Sequence, residues 1–331
     1  MLPKFLWRHI IDKLTTSDIS NMIVAIKSFN VMLDDDSWKR CFLDGRRSAI
    51  AVVQCNTKID YCYWKYACYN HVTCDSFDDI FCKINNSTYY NIYIKAGEYK
   101  VDPNNYFYYN SNHCHINLIG TKDKTIVSYN DIDSKIYQIK LGSLSIHDIS
   151  LINIELRIAN ANNLHINNCE FDRSCISICT VNKVIIEQCM FNGVSPIYIE
   201  LYEARLPQCE YIIKNNTFSR EVLPGDRACI LFHGKHLACN ITIANNIISY
   251  YRILCQVGEY DTIIFRDNCI SDVVSCVNCW WGNNKSVILF ENNTFDQVDR
   301  LYGAEITGNI RLSGNNMFIN CEEELTKYVS I

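Results

Sequence analysis

The chain has 331 residues, 48% of them hydrophobic and 20% charged, which supplies enough apolar side chains for a large core and excludes a disordered default. Its net charge of −5 comes without any run of Lys or Arg. The attraction that dominates nucleic-acid binding is therefore missing, and nucleic acid is set aside as a partner.

The amino terminus, Met1 to Lys13, interrupts its apolar residues with Lys4, Arg8, His9 and Asp12, unlike the apolar core of a secretory signal. No later stretch reaches the length of a membrane span, so no membrane partner is expected. The 19 cysteines are an odd number. Several, Cys169 and Cys189 among them, sit at apolar or turn positions and read as small reduced residues rather than a disulfide framework. The expected compartment is the cytoplasm, with the nucleus as a second.

In chain order, Leu2-Pro3 places Pro at a first helical position. Leu6, Ile10 and Leu14 then fall on one helix face, with Trp7 and Ile11 beside them. Thr16-Ser17-Asp18 supplies capping oxygens for a second helix carrying Ile19, Met22, Ile23 and Ile26. Asp34 to Asp36 precede a third, with Trp38, Cys41 and Phe42 as its apolar side. These faces are too extensive for so small a unit and invite a partner.

The order and spacing of Leu2-Pro3, Leu6, Ile10-Ile11, Leu14, Asp18-Ile19, Met22, Phe29, Asp36, Trp38 and Lys39 resemble an F-box. Lys27-Ser28-Phe29 stands where the family usually carries Cys or Arg followed by Trp. The resemblance implies a small all-α domain over residues 1–45 that docks on a Skp-type adaptor and, through it, a cullin ubiquitin ligase. Leu2, Pro3, Leu6, Ile10, Leu14, Ile19, Ile23 and Trp38 would form the adaptor-binding surface.

Residues 46–90 read as a helical or irregular connector and solenoid cap, rich in Tyr, Cys and Trp and lacking a flexible linker. Within it Ser76 to Ile84 has the pattern of a capped helix. From Asn91 to Val101 apolar and polar residues alternate as in a strand, turning at Gly97. This succession resembles the start of right-handed parallel β-helices of the pectin-lyase-like superfamily. The expected fold is accordingly mainly β, a right-handed parallel β-helix over 91–331 behind the helical domain, and the whole resembles F-box-only proteins with β-helix domains.

The repeat itself is legible. Leu151, Phe171, Phe191, Phe218, Ile248, Ile270, Phe295 and Phe318 recur at separations of 20, 20, 27, 30, 22, 25 and 23 residues, intervals suited to one solenoid turn of three short strands. Two residues before each apolar position, from Phe171 onward, stand Cys169, Cys189, Asn216, Asn246, Asn268, Asn293 and Asn316. One residue further back stand Asn168, Gln188, Asn215, Asn245, Asp267, Asn292 and Asn315. Stacked about 4.8 Å apart, one column should be an inward Asn ladder and the other should face solvent. After Cys321 the short charged segment beginning Glu322-Glu323-Glu324 is expected to cover the last coil.

Parallel β-helices also host carbohydrate-active enzymes, which need two opposed carboxylates or clustered acids with a base. Asp148, Glu170, Glu187, Asp267, Glu291 and Asp296 build no dense column in the sequence, and His233 and His236 read as parts of a polar loop. Cys276 and Cys279 have a zinc-like spacing without a second pair. No catalytic residue, metal or cofactor is therefore assigned. Trp280, Trp281, Tyr250 and Tyr251 are the candidate substrate-binding aromatics. The expected function is the substrate-recognition subunit of a Skp–cullin–F-box ligase, binding an unknown target protein through the β-helix. The alternatives are a β-helix lyase or hydrolase and a structural or virion protein.

Overall fold

The sequence alternation is realised as short parallel strands. In Lys183–Glu187 the apolar Val184 and Ile186 point inward while Lys183, Ile185 and Glu187 point out, and β-branched residues suit that half-buried surface. A computed structural model of the chain describes residues 70–74, 89–94, 96–101, 107–121, 125–129, 135–193, 196–200, 209–219, 228–233, 239–257, 262–279, 287–302 and 309–321. The chain divides into two units, Met1–His71 with Ser87–Asn91 and Val72–Asn86 with Ile92–Ile331. The description below concerns the second.

That unit is a parallel β-solenoid of the right-handed type, and each turn contributes a strand to each of three stacks. The first stack runs through Ile154–Ala159, Cys175–Cys179, Ile197–Glu200, Ala228–His233 and Ile253–Val257. The second runs through Asn163–Asn167, Lys183–Glu187, Cys209–Lys214, Cys239–Ala244, Thr262–Arg266, Val287–Glu291 and Asn309–Ser313. The third is built from three-residue pieces: Ser150–Ile152, Glu170–Asp172, Met190–Asn192, Thr217–Ser219 and Ile247–Ser249, then the starts of Cys269–Cys279 and Thr294–Tyr302, and finally Met317–Ile319.

The register of the third stack follows the sequence alignment residue for residue. Leu151 lies against Phe171, then Phe191, Phe218, Ile248, Ile270, Phe295 and Phe318 in succession. From Leu151 to Phe295 the column is fully buried, and its phenyl rings stack at 4.8 Å for Phe171–Phe191 and Phe191–Phe218. Each stacked pair adds about 0.5–1.5 kcal/mol beyond the area it buries.

The two polar columns separate as the turn geometry requires. Asp148, Asn168, Gln188, Asn215, Asn245, Asp267 and Asn292 adopt φ between 53° and 59°, the left-handed conformation that turns the chain. Asn and Asp tolerate it best among side-chain-bearing residues. Their amides still bond to the following turn, as Asn245 N–H does to the Arg266 carbonyl at 2.9 Å. This column faces out.

The next residue faces in. Asn216, Asn246, Asn268 and Asn293 are buried and form a continuous ladder. Asn246 Nδ2 donates to Asn268 Oδ1 at 3.1 Å and to the Ile213 carbonyl at 2.9 Å, and Asn246 N–H donates to the same Oδ1 at 3.0 Å. Asn268 repeats the arrangement on Asn293, and Asn293 on Asn316. Cys169 and Cys189 occupy the first two rungs, their thiols donating to the carbonyls of Asn167 at 3.3 Å and Glu187 at 3.2 Å. Burial pushes the Cys169 thiol well up, and it stays protonated.

Two expectations change. Asn70–Cys74 is a strand inside the segment read as helical or irregular, because Val72 and its neighbours have the β-branched, polar composition of a strand. Tyr251, expected at the surface, is 1% exposed and donates its hydroxyl to the Gly193 carbonyl at 3.0 Å and the Ser219 carbonyl at 3.3 Å. Tyr250 takes the left-handed corner, φ 64°, which turns Tyr251 inward. The F-box-like residues 1–45, the Ser76 to Ile84 helix, Trp280, Trp281 and the segment after Cys321 lie outside the described residues.

Candidate interaction surfaces

Because strand side chains alternate, each stack presents an outward face whose chemistry is set by every second residue. Outward positions of the second stack align in three columns. The middle one runs Ser145, His165, Ile185, Ile212, Thr242, Ile264, Leu289 and Arg311. Its aliphatic members are half-buried against one another. The flanking column carries ion pairs between adjacent turns: Lys214 Nζ lies 3.1 Å from Glu187 Oε2, and Arg266 Nε lies 2.6 Å from Glu291 Oε2. In the other flank Lys183 Nζ is 2.7 Å from Glu210 Oε2. The charges of this face are largely spent on each other.

At its earlier end the same face gathers titratable groups. His165 Nε2 lies 2.8 Å from Glu187 Oε1, and the His147 ring meets the His165 ring edge-on at 5.3 Å between centroids. Burial would raise the Glu187 carboxyl, but hydrogen bonds and charge from His165 and Lys214 outweigh it and hold its pKa below the usual value. His115, in the strand Phe107–Ile119, is pushed below the ordinary imidazole value by burial. A hydrogen-bonded imidazole and carboxylate can move a proton, or can simply pin two strands together.

The third stack's outward face differs. Its two outward columns run Ser150, Glu170, Met190, Thr217, Ile247, Cys269, Thr294, Met317 and Ile152, Asp172, Asn192, Ser219, Ser249, Ser271, Asp296, Ile319. Met190, Ile247, Met317 and Ile319 are 47%, 56%, 55% and 39% exposed, and Tyr250, at 61%, stands at the corner of the same face. All the exposed large hydrophobics among the described residues are on this face. The pattern could have been read from sequence, since the residue between the ladder position and the large apolar residue must point outward, and at 190, 247 and 317 it is apolar.

Of the sequence-predicted sites, Tyr250 lies on this face and Tyr251 beneath it. Tyr198 is half-buried on the outer side of the first stack. Cys276 is buried, its thiol pushed up by burial, and among the described residues no group of three His, Cys, Asp or Glu is placed to hold a metal ion.

Fold and surface together define a parallel β-helix protein with one apolar-studded face. No family model matches the chain, and no curated protein matches it. Among solved structures it is similar to an alginate lyase from Paenibacillus sp. str. FPU-7, at 11% identity and a TM-score of 0.39, over 76% of this chain and 97% of that one. It is also similar to a pectin methylesterase in complex with a hexasaccharide, at 10% identity and a TM-score of 0.36, over 75% of this chain and 89% of that one.

Proposed function

We propose that the chain is a substrate-recognition subunit of a Skp–cullin–F-box ubiquitin ligase, working in the cytoplasm or nucleus. Leu2, Pro3, Leu6, Ile10, Leu14, Ile19, Ile23 and Trp38 would recruit the adaptor, and the solenoid would hold a target protein. The observation that supports the recognition half is the gathering of Met190, Ile247, Tyr250, Met317 and Ile319 on one solenoid face. Clustered exposed apolar side chains with polar surroundings are the anatomy of a protein-binding surface. The adaptor half rests on the resemblance of residues 2–43 to an F-box. Pull-down of a purified Skp adaptor by the full chain, lost on changing Pro3, Leu6 and Ile10 together, tests it; an intact chain that retains no adaptor defeats it.

A second reading, a carbohydrate-active enzyme, draws on the hydrogen-bonded His165–Glu187 pair beside Lys214. It predicts depolymerisation of an acidic polysaccharide that Glu187→Gln abolishes. Absence of chain cleavage across a polysaccharide panel would remove that reading.

A further inference from the structure

The third face carries an unequal charge distribution as well as its apolar side chains. Its corner and outward columns hold Asp148, Glu170, Asp172, Asp267, Asp272 and Asp296, and among the described residues Arg173 is the only Lys or Arg in them. Asp172 lies 3.5 Å from Arg173, the sole ion pair described there. Glu170 and Asp296 instead accept from neutral groups, Ser150 Oγ at 3.2 Å and Asn320 Nδ2 at 3.1 Å. The second stack's outer face pairs its carboxylates with Lys183, Lys214 and Arg266. One face is internally neutralised, and the other offers carboxylates to whatever lands on it.

We infer that the third face binds a protein segment presenting aliphatic side chains flanked by Lys or Arg. This rests on the reading of the solenoid as a recognition surface and names its partner's chemistry. Nucleic acid and anionic membranes are repelled by six carboxylates, whereas a basic segment is drawn in and a purely apolar one gains no steering. From Met190 to Met317 the outward column climbs five turns, about 24 Å at the spacing of paired strands. Met190, Ile247 and Met317 punctuate that span with Thr217, Cys269 and Thr294 between them, so the segment meets apolar knobs separated by small polar groups.

The test measures anisotropy of two labelled synthetic peptides against the full chain. Both carry the same Leu and Met positions, one with Lys at the flanks and one with Glu. The Lys peptide should bind at least about tenfold more tightly, with affinity falling as salt rises. The Ile247→Ser/Met317→Ser variant and the Asp267→Asn/Asp272→Asn/Asp296→Asn variant should each lose about tenfold, with unchanged circular dichroism. Ile247, Asp267 and Met317 are exposed and Asp272 and Asp296 half-buried, all lie outside the ladder, and Asn suits the left-handed corners at 267 and 272. Equal binding of the two peptides, no binding of either, wild-type affinity in both variants, or tighter binding of single-stranded DNA or phosphatidylserine vesicles would overturn the inference. Adaptor capture through residues 2–43 is unaffected by any of these changes, so the two readings fail separately.

Discussion

The inward ladder position is filled in two ways along one solenoid. The rungs of Cys169 and Cys189 belong to turns of 20 residues, while Asn216, Asn246, Asn268, Asn293 and Asn316 stand in turns of 22 to 30. A thiol donates weakly, to its own turn's carbonyl and at 3.7–3.8 Å to one of the preceding turn, and offers its neighbour's N–H no amide acceptor. Asn donates its amide to both neighbouring turns and accepts the N–H of the preceding rung, as Asn246 does, tying the turns more strongly. The longer turns are the ones held by amides. Where the turn is minimal, a small buried thiol suffices.

The largest expected effect leaves this contrast untouched. Phe191→Ala on a Cys rung and Phe295→Ala on an Asn rung should each cost about 3–5 kcal/mol in denaturant unfolding, because both rings are fully buried in the same column. Unequal costs would mean that the apolar column itself differs between the halves.

Asn268→Ala breaks the contrast directly. It removes the acceptor of Asn246 N–H and Nδ2 and the donor to the Ile243 carbonyl, leaving buried groups unpaired at about 1–3 kcal/mol each. A drop of about 3 kcal/mol is expected, against about 1 kcal/mol for Cys169→Ala, whose thiol bonds are weak. Cys189→Asn should go the other way and raise stability by about 1 kcal/mol, as Asn216 Oδ1 already accepts the N–H of residue 189 and would accept a new Nδ2 as well. A loss of stability would show that the short turn has no room for the amide.

Acid should weaken the early half first. His115 and Glu187 both have folded-state pKa values below their unfolded values, so the unfolded chain binds more protons and stability falls as pH drops. The loss begins as pH falls through the ordinary His value of 6.5, on His115, and continues below the ordinary Glu value of 4.5, on Glu187. Hydrogen exchange against pH would place it, and Glu187→Gln should remove the second phase. The smallest effect is chemical: iodoacetamide on the native chain should label the exposed Cys269 and spare the buried Cys169 and Cys229, whose thiols burial holds protonated.

The solenoid's register was readable because one polar column and one large apolar column repeat at a fixed offset, and a one-residue slip would turn Phe171 and its successors to solvent. Which polar column turns inward was not, since Asn serves both a left-handed corner and a ladder. Tyr251, alone of the aromatic candidates among the described residues, lies inward, for a related reason. Counting alternation through Tyr250 puts Tyr251 on the wrong side, because a left-handed residue resets the phase. The apolar outer face is masked in the sequence because Met190, Ile247 and Met317 look like core residues until the corner beside each is located.

The spacing from Phe171 to Phe191 also makes the molecule a ruler with discrete marks. Residues 172–191 are one complete turn, whose corner and inward positions fall in register with the turn before. Their deletion would bring Cys169 under Asn216 and Phe171 under Phe218, leaving every remaining residue on the side it now occupies. The outer face would shorten by a single step of about 4.8 Å, losing Met190 from its apolar residues and Asp172 and Arg173 from its charged ones. The length of the outer face is thus a quantity this chain can change by whole turns, without redesigning the interior.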